Sequence, residues 1–157
     1  MTEFKHILVP LDGSSLAERA LPVARVLAQK FDSQIILLRV LDIPSPTPPT
    51  SHPEVTMGWA REAREHALQE AQSYLQAVQS ELDRQEIATQ TLLRDTSPAE
   101  DILDVADTEG IDLIVMSSHG RGGLARWAFG SIAEKVARHS LCPVLLVRAK
   151  PETTNDV

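Results

Sequence analysis

Five short apolar runs, separated by stretches with helical spacing, restrict the folds open to this chain more than any other feature. "HILVPL" (6–11), "QIILLRVL" (34–41), "IATQTLL" (87–93), "IDLIVM" (111–116) and "PVLLVR" (143–148) are mostly rich in β-branched residues or leucine and too short for helices, so they predict strands. The first, second, fourth and fifth are nearly continuous in apolar residues, the pattern of strands covered on both faces. The third is more polar and reads as an edge.

Helical signals fill the gaps. Ser15 and Glu18 have capping-box spacing, so the first helix is predicted from Ser14 or Ser15 to near Phe31, with Leu16, Ala20, Val23 and Leu27 on one face. The second is expected over about 58–86, with Ala60, Ala63, Ala67, Ala71, Tyr74, Leu75, Val78 and Leu82 as its apolar stripe. The third has Ser97 as cap, Pro98 in its first turn, Glu100 in the box position, then Ile102, Leu103 and Ala106 before Gly110 stops it. The fourth opens at Ser131, with Glu134 repeating the box and Ile132, Val136 and Ala137 turned inward. Strand and helix thus alternate as βαβαβαβαβ. Because a crossover between parallel strands is right-handed, this alternation predicts an α/β fold: a five-stranded parallel doubly wound sheet, order 3-2-1-4-5, with helices on both faces.

Composition bounds the rest. A chain of 157 residues, 43% hydrophobic and 24% charged, suits one domain with its own core, expected over 1–149, with the polar residues 150–157 as a disordered tail. No apolar run approaches the roughly 20 residues that span a bilayer, and "MTEFKHILVP" lacks the features of a signal peptide, so a cytoplasmic protein is expected. A net charge of −7 argues against nucleic acid or anionic membrane as partners, so any anion has to be held locally. The lone Cys142 precludes an internal disulfide and, with no His or Cys cluster beside it, reads as a small apolar residue before Pro143. "DIPSPTPPTSHPEV" (42–55) holds five prolines, too many for either regular element, and reads equally as a stiff connector or a flap.

In an open sheet of this order, ligands bind beyond the C-terminal strand ends where the order reverses, between strands one and four. Strand one runs into "DGSS" (12–15), and strand four into "SSHGRGGLARWAFGS" (117–131), which holds four glycines and two arginines. Gly120, Gly122 and Gly123 let backbone N–H groups approach a ligand, Gly130–Ser131 lead into a helix N-terminus that favours an anion, and Arg121 and Arg126 add positive charge. Asp12, acceptor-only when ionised, suits a ribose hydroxyl or an adenine amino group, with the backbone near Val40 as the neighbour of the base. Each residue also has a plain explanation: Asp12-Gly13 as a turn, Ser131 as an N-cap whose box competes with phosphate, the arginines as solvated, His119 as a loop residue without an identifiable nucleophile. "GRGGLA" formally matches a dinucleotide fingerprint, but no acid follows about 20 residues later, and no P-loop pattern occurs.

The blocks "HILVPLDGS", "ILLRVLD", "SPAEDILDVADTEGIDLIVMSSHGRGG" and "GSIAEKVARHSLCPVLLVR" resemble, in order and spacing, the universal stress protein domain in its single-domain form. Nucleotide-binding members carry G-x-x-G, nine residues, then G followed by Ser or Thr. The matching positions here are Ser117, Gly120, Gly130 and Ser131, so Ser117 departs from the first glycine. The segment before Pro98 also departs, lacking a common glycine. The resemblance implies ATP as ligand, with Mg2+ or Mn2+ on its phosphates, and a homodimer through the last strand (Pro143–Arg148). The candidate binding residues are Pro10, Leu11, Asp12, Val40, Met116, Ser117, His119, Gly120, Arg121, Gly130, Ser131 and Ile132. The expected role is a stress-response or regulatory module with little or no catalysis. Its rivals are a dimeric interaction or chaperone-like protein without nucleotide and, last, a slow ATP hydrolase or phosphotransferase.

Overall fold

The apolar runs form the strands they predict. The computed structural model describes residues 3–43, 53–119 and 129–148. Most of the proline-rich stretch (44–52), the loop segment 120–128 with Gly120, Arg121 and Arg126, and the tail lie outside the described residues. Strands β1 (His6–Leu11), β2 (Gln34–Val40), β3 (Thr89–Arg94), β4 (Leu113–Ser117) and β5 (Val144–Val147) form one parallel sheet in the order β3-β2-β1-β4-β5.

Alternation along the strands divides the interior into two layers. Ile7, Val9, Ile35 and Leu37 point to one face and pack with α1 (Ala20–Phe31) and α2 (Pro53–Asp83). Leu8, Ile36, Leu38 and Ile114 point to the other, against α3 (Pro98–Thr108) and α4 (Ser131–His139). Ala20, Ala24 and Ala28 are the buried line of α1, and their small side chains let its backbone lie close to the sheet. The predicted Val23 and Leu27 flank that line rather than form it.

Helix starts differ from the sequence expectation for identifiable reasons. A 3-10 turn (Ala17–Arg19) precedes α1, and Ser14, not Ser15, caps it: Ser14 Oγ accepts from the Ala17 N–H at 3.2 Å. Glu18 is drawn instead to Tyr74. α2 begins at Pro53, through Gly58, and its apolar stripe is buried only from Ala71 onward, leaving Val55, Met57 and Trp59 at least half exposed. Ser97 makes no side-chain cap to α3. Asp101 is buried and reaches back to accept from the Thr96 N–H at 3.1 Å and from its hydroxyl. In α4 the inward residues are Ala133 and Val136, whereas Ala137 is exposed and Ile132 is 40% exposed, so the predicted inward face is corrected. Glu100–Lys135 and Glu134–Arg138 ion pairs decorate this helix. Exposed pairs contribute at most about 1 kcal/mol each, so burial of Ala133 and Val136 sets its seat.

Asp112 closes the bottom of the sheet, its Oδ2 accepting from the N–H groups of Lys5 and His6 at 2.9 and 2.8 Å. At the top, the ladders diverge. β1 pairs with β2 over six residues but with β4 only at Ile7 and Leu8. Pro10, which has no N–H for a ladder, lies two residues beyond the last pair. Among the described residues no helix is long and apolar enough to cross a membrane.

Candidate functional site

Where β1 and β4 part, a cleft of about 630 Å3 opens. Its walls are the C-terminal strand ends, the turn after β1, the chain after β4, and the N-terminus of α4. Ten of the twelve residues singled out from the sequence line it: Pro10, Leu11, Asp12, Val40, Met116, Ser117, His119, Gly130, Ser131 and Ile132. Gly120 and Arg121 fall outside the described residues. Segments about a hundred residues apart therefore share one cavity, as the strand order requires.

On the β1 side, Asp12 does form a turn. Its Oδ1 accepts from the Ser14 N–H at 2.8 Å, and Gly13 takes a φ of +83°, a conformation that strongly favours glycine. Asp12 also lines the cleft, so the turn and the cleft wall share one residue.

On the β4 side, Ser117 ends the strand in register with Val147, an extended position that any residue adopts. The departure from glycine there leaves the strand regular. Ser117 Oγ accepts from the His119 N–H at 3.4 Å, a long bond within the loop itself. Ser118 is 2% exposed and joins three elements. Its N–H donates to Val147 O at 3.0 Å, its carbonyl accepts from the Gly130 N–H at 2.8 Å, and its Oγ lies 3.2 Å from His119 Nδ1. The close approach explains Gly130: a Cβ there would sit 3.2 Å from Ser118 O, a backbone atom with little freedom to give way.

Gly130 is the N-cap of α4, and among the described residues no side-chain cap bond is made there. Glu134 turns away to Arg138, 2.8 Å distant, so the expected Ser131–Glu134 box is absent. An α-helix leaves its first N–H groups without intrahelical partners and carries partial positive charge at that end. At α4 that end opens into the cleft, with no side-chain box competing for an anion.

Fourteen further residues line the wall without having been singled out from the sequence, among them Gly13, Arg39, Tyr74 and Ser118. Arg39 and Tyr74 form a polar flank between the β1 turn and α2. The Tyr74 hydroxyl donates to Glu18 Oε1 at 2.7 Å, and the Arg39 guanidinium lies over the Tyr74 ring. Burial first, and then the bond to Glu18, push the Tyr74 hydroxyl well above the usual tyrosine range. A lone cation in the run "QIILLRVL", and the chain's single tyrosine in a helical stripe, were the available signals. Among the described residues no three His, Cys, Asp or Glu side chains gather in a metal-binding group.

The universal stress protein family model matches residues 3–148. A universal stress protein of Methanocaldococcus jannaschii, MJ0531, is 32% identical over 149 residues, covering 95% of this chain and 84% of that one. The structure of MJ0577, from the same organism, superposes with a TM-score of 0.80 at 29% identity, covering 94% of this chain and 98% of that one. At 20% identity, a universal stress protein from Archaeoglobus fulgidus, solved in complex with dAMP, shares the fold with a TM-score of 0.62, covering 93% and 98% of the two chains. With a family model spanning nearly its whole length, and a relative of that identity and coverage beside it, the chain belongs to the universal stress protein family.

Proposed function

We propose that this protein binds ATP or another adenine nucleotide in the cleft between β1 and β4, and acts as a cytoplasmic stress-response or regulatory module. One observation carries the proposal: an aspartate suited to a nucleoside and a helix N-terminus suited to phosphate, without a side-chain cap among the described residues, line the same cavity, which lies at the reversal point of the sheet. In this arrangement Asp12 and the Val40 backbone hold the nucleoside. The backbone of Gly130–Ser131–Ile132 and the loop residues Gly120 and Arg121 hold the phosphates. Complexes of family members with dAMP and with cAMP support adenine nucleotides as the ligand class.

The residues fit the ligand. The glycine at 130 keeps the backbone close, the Ser131–Glu134 box that would compete is not formed, and the cavity lies within the range of small-molecule sites. A Mg2+ or Mn2+ ion would screen the phosphate charge, held chiefly by the phosphate oxygens themselves. Binding rather than turnover is proposed because, among the described residues, the side-chain contact of Ser118 Oγ with His119 Nδ1 places the hydroxyl on a residue only 2% exposed. The protein acts as a homodimer joined through Pro143–Arg148.

Isothermal titration with ATP and Mg2+ is the test. Saturable heat is expected at or below millimolar nucleotide, lost in Gly130→Val, whose side chain meets Ser118 O. No heat from folded wild type overturns the proposal. An interaction protein without nucleotide would use the same β5 edge, so that edge does not favour it over a binder.

A further inference from the structure

The cleft extends beyond the residues just assigned, onto the flank where the β1 turn faces α2. We propose that Arg39 is a positioning residue for the nucleoside end of the cleft: its guanidinium, held between the Tyr74 ring and the Gly13 backbone, fixes the Asp12–Gly13 turn in the form that presents Asp12 to a ligand. The proposal rests on the nucleotide-binding function above and adds to it a residue that touches the turn rather than the nucleotide.

Strand alternation puts the guanidinium there. Ile35 and Leu37 face the α1 and α2 layer, so Arg39, two residues on, leaves the same face at the strand's C-terminal end. Across the ladder its partner is Leu11, the residue before Asp12. On one side Arg39 Cζ is 5.9 Å from the Tyr74 ring centroid. On the other, a Cβ built on Gly13 would lie 3.2 Å from Nη2 and 3.3 Å from both Cζ and Nη1. Three guanidinium atoms at nearly equal distance indicate a flat group that faces the space beside Gly13 where another residue's side chain would stand.

The clamp is itself held. Tyr74 is fixed by its bond to Glu18 in the 3-10 turn, and the chain entering that turn is fixed by Asp12 Oδ1 on the Ser14 N–H and Ser14 Oγ on the Ala17 N–H. The structure thus closes a circuit from Asp12 through Ser14, Glu18, Tyr74 and Arg39 back to Gly13. Among the described residues, the charged groups that act on the Tyr74 hydroxyl are Glu18, Arg39 and Asp12, one cation and two carboxylates. A lysine keeps the charge but cannot reproduce a planar group bearing on a ring and a backbone at once.

Titration of adenosine, AMP and ATP into wild type, Arg39→Lys, Arg39→Met, Asp12→Asn and the Arg39→Met/Asp12→Asn double variant tests this, with thermal melts establishing that each is folded. Both Arg39 variants are expected to weaken all three ligands by a similar factor of about tenfold, because an interaction common to all three is lost. Asp12→Asn is expected to cost several-fold less in the Arg39→Met background than in wild type, the signature of coupled residues. Arg39→Lys, close in charge and length, keeps the question answerable if Arg39→Met fails to fold. Losses that grow with phosphate number, additive effects of the two sites, or unchanged affinities overturn the proposal. A folded wild type that binds none of the three overturns the nucleotide-binding function itself, a result distinct from these.

Discussion

Tyr74 shows how a residue that looks like core in sequence serves a polar role. Its spacing with Ala71, Leu75 and Val78 places it in the stripe of α2, yet its hydroxyl donates to Glu18 and its ring carries Arg39. The fold favours the neutral hydroxyl, so its pKa in the folded protein is raised above the unfolded value of about 10. That contribution to stability is fully present below pH of about 10 and is lost as pH rises toward the folded pKa, because the unfolded chain releases the proton first. Urea denaturation of wild type and Tyr74→Phe is expected to give a constant difference from neutral pH to about pH 9, which then shifts progressively against wild type as pH rises. Parallel curves at all pH values would refute the assignment. Asp12 was legible as a turn former at the mouth of the cleft, because Asp-Gly after a strand has a short menu of conformations. Arg39 was not, because its role exists only once β2, α2 and the β1 turn are brought together.

At the scale of elements, the type and order of each strand and helix were legible, and the cap chemistry was less so. Capping signals recur at neighbouring positions, and three-dimensional competition chooses among them. Ser15–Glu18 lost its acid to Tyr74, Ser131–Glu134 lost its acid to Arg138, and Ser97–Glu100 lost its acid to Lys135. At α3 the work passed to Asp101, one position past the box, whose two oxygens take both the Thr96 N–H and its hydroxyl. Asp101→Ala leaves those donors without their acceptor at a half-buried helix entry, and a loss of about 1–2 kcal/mol is expected. Asp101→Asn keeps one acceptor oxygen and is expected to lose about half as much. Urea unfolding midpoints at unchanged slope measure both. If Ser97→Ala were as costly as Asp101→Ala, the cap would belong to the serine after all.

For the whole molecule, continuous apolar runs in β1, β2 and β4 made a sheet covered on both faces legible, and the same logic bears on its edges. The sheet has two, β3 and β5. β3 is attended by α2: Gln79 Nε2 donates to Thr89 O at 2.9 Å, and Arg64 pairs with Asp95 just past the strand's end. β5 hydrogen-bonds to β4 alone among the described strands and presents the apolar sequence VLLV, with Leu145 39% exposed and the preceding Leu141 94% exposed. A bare apolar edge is a template for another strand, and natural chains that remain monomeric blunt it with charge. The charge here is displaced to Arg148, beyond the strand and stacked over Phe129 at 5.3 Å. A second copy joined at this edge would form an isologous two-fold contact. Sedimentation equilibrium is therefore expected to give twice the 17.2 kDa chain mass for wild type and a single chain for Leu145→Lys. Leu145 lies outside the cleft, so the variant should still bind ATP with affinity within about threefold of wild type, as expected for sites without shared partners. Wild type sedimenting as a single chain would remove the dimer, whereas a Leu145→Lys monomer that loses ATP as well would mean that the two-fold contact helps to shape the cleft.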